Sequence, residues 1–167
     1  MDDTADFKGG LWLLLIRTFH VMRRARQKEL NGYGITTRSA AVLSAVLRLG
    51  KEATLRQLAR QLVLEEHSMS EQLLRMEKTG LIKRVKDPKK NLIHVRITKK
   101  GRDLYDKSME RKSVENIMSV LTKEEQLNLW LTIAKIREQS LKELGKLNEN
   151  MFPPSDPALF EPEEYSR

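Results

Sequence analysis

The sequence contains no cysteine. Disulfides, thiolate metal sites and thiol redox sensing are therefore excluded within this chain. It also lacks a long apolar run. Leu11 to Ile16 is hydrophobic, but Arg17 ends the stretch far short of the roughly 20 residues that a membrane-spanning helix needs. No basic leader precedes a cleavage site, so a cytoplasmic protein with no membrane partner is expected. The histidines His20, His67 and His94 stand far apart. There is no nucleophile elbow, no phosphate-binding glycine loop and no carboxylate–histidine cluster with metal spacing. Neither catalytic residues nor a metal or cofactor are expected.

Acidic residues are scarce in one place. Between Lys83 and Arg102 lie Lys83, Arg84, Lys86, Lys89, Lys90, Arg96, Lys99, Lys100 and Arg102, against Asp87 alone. This stretch carries as much net charge as the whole 167-residue chain, +8. Basic charge concentrated in a short strand-like segment reads either as a phosphate-binding surface or as a solvated face. The tail has the opposite balance, with Glu149, Asp156, Glu161, Glu163 and Glu164 against Arg167. The 40% hydrophobic and 32% charged content suits a mainly helical protein with wide solvated faces.

Periodicity divides the chain. Residues 1–9 are expected to be flexible. A helical stripe then runs from Gly10 to Leu30 through Trp12, Leu15, Ile16, Phe19 and Met22 until Asn31-Gly32-Tyr33-Gly34 breaks it. A second helix fits Thr37 to Leu49, closed by Gly50. Thr54 and Gln57 have capping-box spacing before a short helix of Leu55, Leu58, Ala59 and Leu62. The next helix runs from His67 to Thr79, with Met69, Leu73 and Met76 as its core stripe. The period then falls to two, in Leu81–Val85 and again in Ile93, Val95 and Ile97. These two strands form a ribbon around Asp87-Pro88 and the basic loop Lys89-Lys90-Asn91. Helix resumes at Lys99 and is expected to continue to Val120. Thr122 and Glu125 cap a last long helix carrying Leu127, Trp130, Ile133, Ile136, Leu141 and Leu144. Beyond Asn148 the Pro-rich acidic tail has no period and is expected to be extended or disordered.

Helix, helix, short helix, turn, helix, ribbon is the order of a winged helix-turn-helix. In that fold the second helix of the turn motif meets a major groove and the ribbon brings cations to nearby phosphates. On a helical wheel His67, Ser70, Glu71 and Leu74 lie opposite the core stripe, with Ser68 and Arg75 on the flank. Small hydroxyls near a helix N-terminus suit close approach to DNA, although Ser68 or Ser70 could instead cap the helix. Arg75 could contact DNA or hold the wing through Asp87.

The chain resembles the MarR family of multiple-antibiotic-resistance-type regulators. The likeness lies in Gly34-Ile35-Thr36, Leu55-Arg56-Gln57-Leu58-Ala59, Ser68-Met69-Ser70, Arg75-Met76-Glu77, Gly80-Leu81-Ile82, the Asp87-Pro88 wing and Ile97-Thr98-Lys99-Lys100-Gly101. It covers residues 10–146. The resemblance implies a dimerisation helix at 10–33, a winged DNA-binding region at 34–98, C-terminal dimerisation helices at 99–148 and a tail at 149–167. It implies a homodimer on a pseudo-palindromic double-stranded DNA operator, usually as a repressor. The implied DNA-binding residues are Arg38, Thr54, Arg56, His67, Ser68, Ser70, Glu71, Leu74, Arg75, Lys89, Lys90 and Asn91. It further implies that a small aromatic or phenolic effector binds where the first, second and fifth helices meet, near Phe19, His20, Met22, Tyr33, Arg38 and Met109.

There are departures from the family. Lys89-Lys90-Asn91 replaces the usual Asp-Arg-Arg-like wing tip, Leu74 stands where relatives are commonly polar, and the acidic tail has no family role. Leu74 could touch a thymine methyl or pack under the wing. The competing reading is a winged-helix protein-interaction module, which would not need a cationic ribbon. An enzyme is a more distant alternative, as is a membrane-surface role for the first helix.

Overall fold

Apolar residues recurring every three to four positions drive the first helix, α1 (Asp3–Asn31). In the computed structural model, which describes residues 3–88, 92–146 and 152–160, this helix starts before the expected Gly10. The expected flexible stretch 1–9 is thus helical from Asp3 onward. Each residue added beyond the first turn contributes a hydrogen bond, so the helix runs through Gly9 and Gly10 despite about 1 kcal/mol lost at each.

Threonine caps set the next boundaries. Thr36 Oγ1 accepts from Ser39 N at 3.0 Å and opens α2 (Thr37–Leu49). After a 3-10 turn over Gly50–Glu52, Thr54 Oγ1 accepts from Gln57 N at 3.3 Å and opens α3 (Leu55–Gln61). The connection to α4 (Glu66–Lys78) passes through Val63 at φ +51, a costly conformation for a β-branched residue. Gly80 (φ +74) then turns the chain into β1 (Ile82–Asp87), where a Cβ would be strained.

β1 pairs antiparallel with β2 (Leu92–Ile97), from Ile82 opposite Ile97 to Asp87 opposite Leu92. Val95 N also donates to Ala53 O at 2.8 Å, which ties the ribbon to the start of the turn motif. The α5 helix (Lys99–Ser108) returns beneath the ribbon so closely that a Cβ on Gly101 would lie 2.0 Å from Leu81 O. Val42, Leu43, Leu58, Met69, Leu73, Met76, Ile82, Val95 and Tyr105 fill one core between these elements.

The helix expected from Lys99 to Val120 is two helices. After Ser108 the chain turns through Arg111 in the left-handed region (φ +50) and restarts as α6 (Lys112–Met118). The cause lies on α1. Glu29 accepts from Lys112 N at 3.0 Å, from Ser113 N at 3.1 Å and from Ser113 Oγ, so it caps α6 from outside. Arg26 donates to Glu29 at 2.5 Å and to Ser108 O. Burial pushes the Glu29 carboxyl up, but the bonds from Ser113 and Arg26 outweigh this and hold it at about 2.

Thr122 and Glu125 form the expected reciprocal capping box at the start of α7 (Lys123–Glu143). Within the tail, the described residues depart from expectation. Residues 152–160 lie against α7, where Trp130 Nε1 donates to Ser155 O at 3.1 Å and Phe160 meets the Trp130 ring edge-on at 5.1 Å. Aromatic packing and Trp130's indole N–H hold this segment against the helix. Among the described residues, no helix is long and apolar enough to cross a membrane.

Candidate nucleic-acid interface and adjoining cavity

Helix α4 is anchored by one face and offers the other. Met69, Leu73 and Met76 are buried, joined by Gln72, whose Nε2 donates to Ser39 Oγ at 3.2 Å. On the outer side His67 is 86% exposed and its Nε2 lies 3.2 Å from Glu71, which in turn sits 3.7 Å from Arg75. These three residues make an exposed polar line at i, i+4 and i+8. Leu74, beside them, is 49% exposed and so is not packed under the wing. Ser68 and Ser70 are half-buried on the flanks of that line. Neither caps the helix, because Glu65 occupies the cap position and makes no side-chain bond there.

The wing is held by a pair that the sequence reading missed. Arg75 does not reach Asp87; it bonds Gln72 Oε1 at 3.4 Å. Instead Arg84 Nε and backbone N donate to Glu77 at 2.7 and 3.0 Å, linking β1 to α4. Those bonds hold the Glu77 carboxyl below its ordinary range. Asp87 lies 3.7 Å from His94 across the ribbon. No short-range spacing signals these contacts, since Glu77 and Arg84 belong to different elements.

The basic stretch splits into two groups. Arg96 donates to Gly50 O at 2.7 Å, Lys100 to Thr79 O at 2.9 Å, and Arg102 pairs with Asp106 at 3.2 Å. Arg96 and Lys100 tie separate elements together, while Arg102 pairs within α5. Lys83 and Lys86 on β1 are exposed and stand on the same ribbon as the tip. The tip residues Lys89, Lys90 and Asn91 lie outside the described residues. Thr54 is committed to capping α3, while Arg56 and Arg38 are exposed.

A cavity of about 520 Å³ opens behind this surface, between α1, α2, α6 and the α3–α4 turn. Of the expected effector residues, Phe19, Met22 and Arg38 line it. His20, Tyr33 and Met109 do not. Tyr33 is drawn away by Glu110, to which its hydroxyl donates at 3.1 Å. Met109 faces a separate cavity with Ser108 and Arg111. The wall expected from the fifth helix comes from α6 instead, through Val114, Ile117 and Met118, because the chain restarts there. Arg23 and Arg26 join Arg38 along an otherwise largely apolar space, with the Arg26 guanidinium already held by Glu29 and Ser108 O. Leu62 and Leu64 close it from the turn. Among the described residues, no group of histidine and acidic side chains could hold a metal ion.

Helix, turn, helix and ribbon with a solvent-facing second helix is an arrangement suited to duplex DNA. Known proteins share it. The sequence pattern of the MarR family matches residues 33–90. The chain is similar to the organohalide-sensing RdhR-CbdbA1625 transcriptional regulator, with 31% identity over 89% of each chain and a TM-score of 0.81, in ligand-free and 2,4-dichlorophenol-bound forms. A mutant MarR from E. coli complexed with operator DNA has 19% identity, 76% of this chain and 93% of that chain covered, and a TM-score of 0.70. S. aureus MepR in a DNA complex has 21% identity, 78% and 94% coverage, and a TM-score of 0.66. At those identities the last two show a shared fold. Comparison with curated proteins gave no match.

Proposed function

The chain belongs to the MarR family of transcription regulators, and on that premise we propose that it is a cytoplasmic repressor that binds a pseudo-palindromic operator as a homodimer and is released by a small aromatic ligand. The outer face of α4 carries this reading. His67, Ser70, Glu71, Leu74 and Arg75 stand on a helix whose opposite face is locked into the core, so they can enter a major groove without unfolding anything. The exposed Lys83 and Lys86 favour neighbouring phosphates and weigh against a module that binds only protein. Arg38 and Arg56 are the cations offered on α2 and α3.

Two copies are needed for two half-sites, and α1 supplies the material for joining them. Trp12 and Phe19 are 61% and 63% exposed within one chain, and Ile133 on α7 is also exposed. Covering them and their neighbours calls for an interface well over about 2,000 Å², the range of permanent dimers. The 520 Å³ cavity has a suitable size for a small aromatic molecule, and Arg23 and Arg38 suit an acidic or phenolic group. The similar regulator solved with 2,4-dichlorophenol supports this choice of chemistry. Such a ligand must bind the DNA-incompetent state more tightly, since equal affinity for both states shifts nothing.

One experiment tests the reading: footprinting of the purified protein on the DNA flanking its own gene, repeated with Ser70→Arg and with added phenols and aromatic acids. A protected pseudo-palindrome, lost in a still-folded Ser70→Arg protein and released by at least one compound, is the expected result. Protection that survives Ser70→Arg removes α4 from the groove.

A further inference from the structure

Residues 152–160 contribute nothing to the helices and ribbon of the DNA-reading unit, yet they touch it. The Phe152 ring lies 3.9 Å from the guanidinium carbon of Arg48, in the last turn of α2. The same short segment is anchored at its other side on α7. Arg137 donates to Pro153 O at 2.6 Å and to Ser155 Oγ at 3.0 Å, and Trp130 Nε1 donates to Ser155 O at 3.1 Å. Phe160 packs on Trp130 and lies 5.7 Å from Phe152, which joins the two anchors through one aromatic row.

The segment is built to hold a shape. Asp156 Oδ1 accepts from Ala158 N at 2.9 Å and starts a 3-10 turn, Pro157–Leu159. Pro153, Pro154 and Pro157 fix three backbone angles, so less conformational entropy is lost when it docks. Phe152 also borders a cavity whose walls include Arg26, Ala41 and Leu62. Those three side chains line the larger cavity as well. The segment therefore sits one layer of side chains behind the space assigned to the effector.

We propose that residues 152–160 are a strap that couples α7 to α2, with Trp130 and Arg137 as its anchor and Phe152 against Arg48 as its grip on the DNA-reading unit. A tether between these helices restrains how the reading unit turns relative to the terminal helices. Restraint in the free protein lowers the ordering cost of engaging two half-sites, so the strap favours DNA binding. That consequence rests on the operator-binding reading above; the coupling itself does not.

The test is hydrogen exchange on the full-length protein, with Arg137→Gln and Phe152→Ala. Arg137→Gln is expected to speed exchange of Leu159 and Phe160 by about tenfold. Across the strap it should speed Gly50 N, which closes α2, by about threefold. Phe152→Ala should reproduce the effect at Gly50, and the double variant should add little to it. Faster exchange in 152–160 with Gly50 unchanged would make the segment a local cover and overturn the coupling. Trp130→Phe keeps an aromatic ring but removes the bond to Ser155, and serves if Arg137→Gln does not fold. On the DNA flanking the gene, Phe152→Ala should weaken binding by about fivefold. Unchanged affinity alongside altered exchange would remove the strap's role in DNA binding. If the wild-type protein protects no DNA, the operator reading fails and the exchange result still decides the strap.

Discussion

Between Ile35 and Tyr105 most large apolar side chains turn inward, with Leu74, Val85, Leu92 and Ile93 as exceptions, whereas over Phe7–Val21 of α1 most turn outward. Leu43, Leu58 and Met69 are fully buried, while Trp12, Leu14 and Phe19 are each more than half exposed. Both regions have helical periodicity, so pattern alone does not say what a stripe will cover. The reading unit closes its core with two helical layers and a ribbon from one chain. α1 has too little of its own chain beside it to do the same, and α7 buries only Ala134 and Leu141. One region is finished by folding; in the proposed dimer the other is finished by assembly.

The strongest way to break that contrast is to charge α1. Trp12→Glu should abolish stable dimers, and operator binding should fall at least about a hundredfold because two half-sites are no longer held together. Sedimentation showing an intact dimer at low micromolar concentration would mean that α1 is not the seam.

Truncation in the closed core comes next. Leu43→Ala should cost about 2–5 kcal/mol of unfolding free energy, because the surrounding side chains cannot fully collapse into the space. A cost below about 1 kcal/mol in chemical denaturation would show that the core repacks as loosely as the terminal helices.

The smallest effect sits at the joint between the regions. Glu29→Gln weakens the cap on α6 and the hold of Arg26, with a loss of roughly 2 kcal/mol near neutral pH. The Glu29 carboxyl titrates near 2 in the folded protein against an ordinary 4.5. Its contribution is therefore complete above 4.5 and is lost as pH falls from there toward 2. Stability curves of wild type and Glu29→Gln should converge across that window. A constant gap between pH 5 and pH 2.5 would remove Glu29 from the acid response.

Much of the reading unit was legible because its causes are local. Thr54 acts within three residues of where it stands, as Thr122 does on α7, and the stripe of Met69, Leu73 and Met76 needs only one helix to define it. The ribbon was legible from a change of period. The break between α5 and α6 was not, because its cap is Glu29, more than 80 residues earlier. The role of the basic stretch was half legible. Its charge was visible, but only contacts with Gly50, Thr79 and Glu77 separate the cations that hold the fold from those left facing solvent.

What the sequence determined by itself was the order and type of the elements from α1 to the ribbon, the buried stripe of α4 and the family resemblance that follows from them. Those rest on hydrogen bonds and periodicities that span a few residues. The tertiary structure decided which residues share a space. It put Arg23 and Arg26 beside Phe19 and Arg38, sent Tyr33 to Glu110 and laid residues 152–160 across Trp130. Such partners are chosen by where whole elements pack, and no spacing along the chain records that distance.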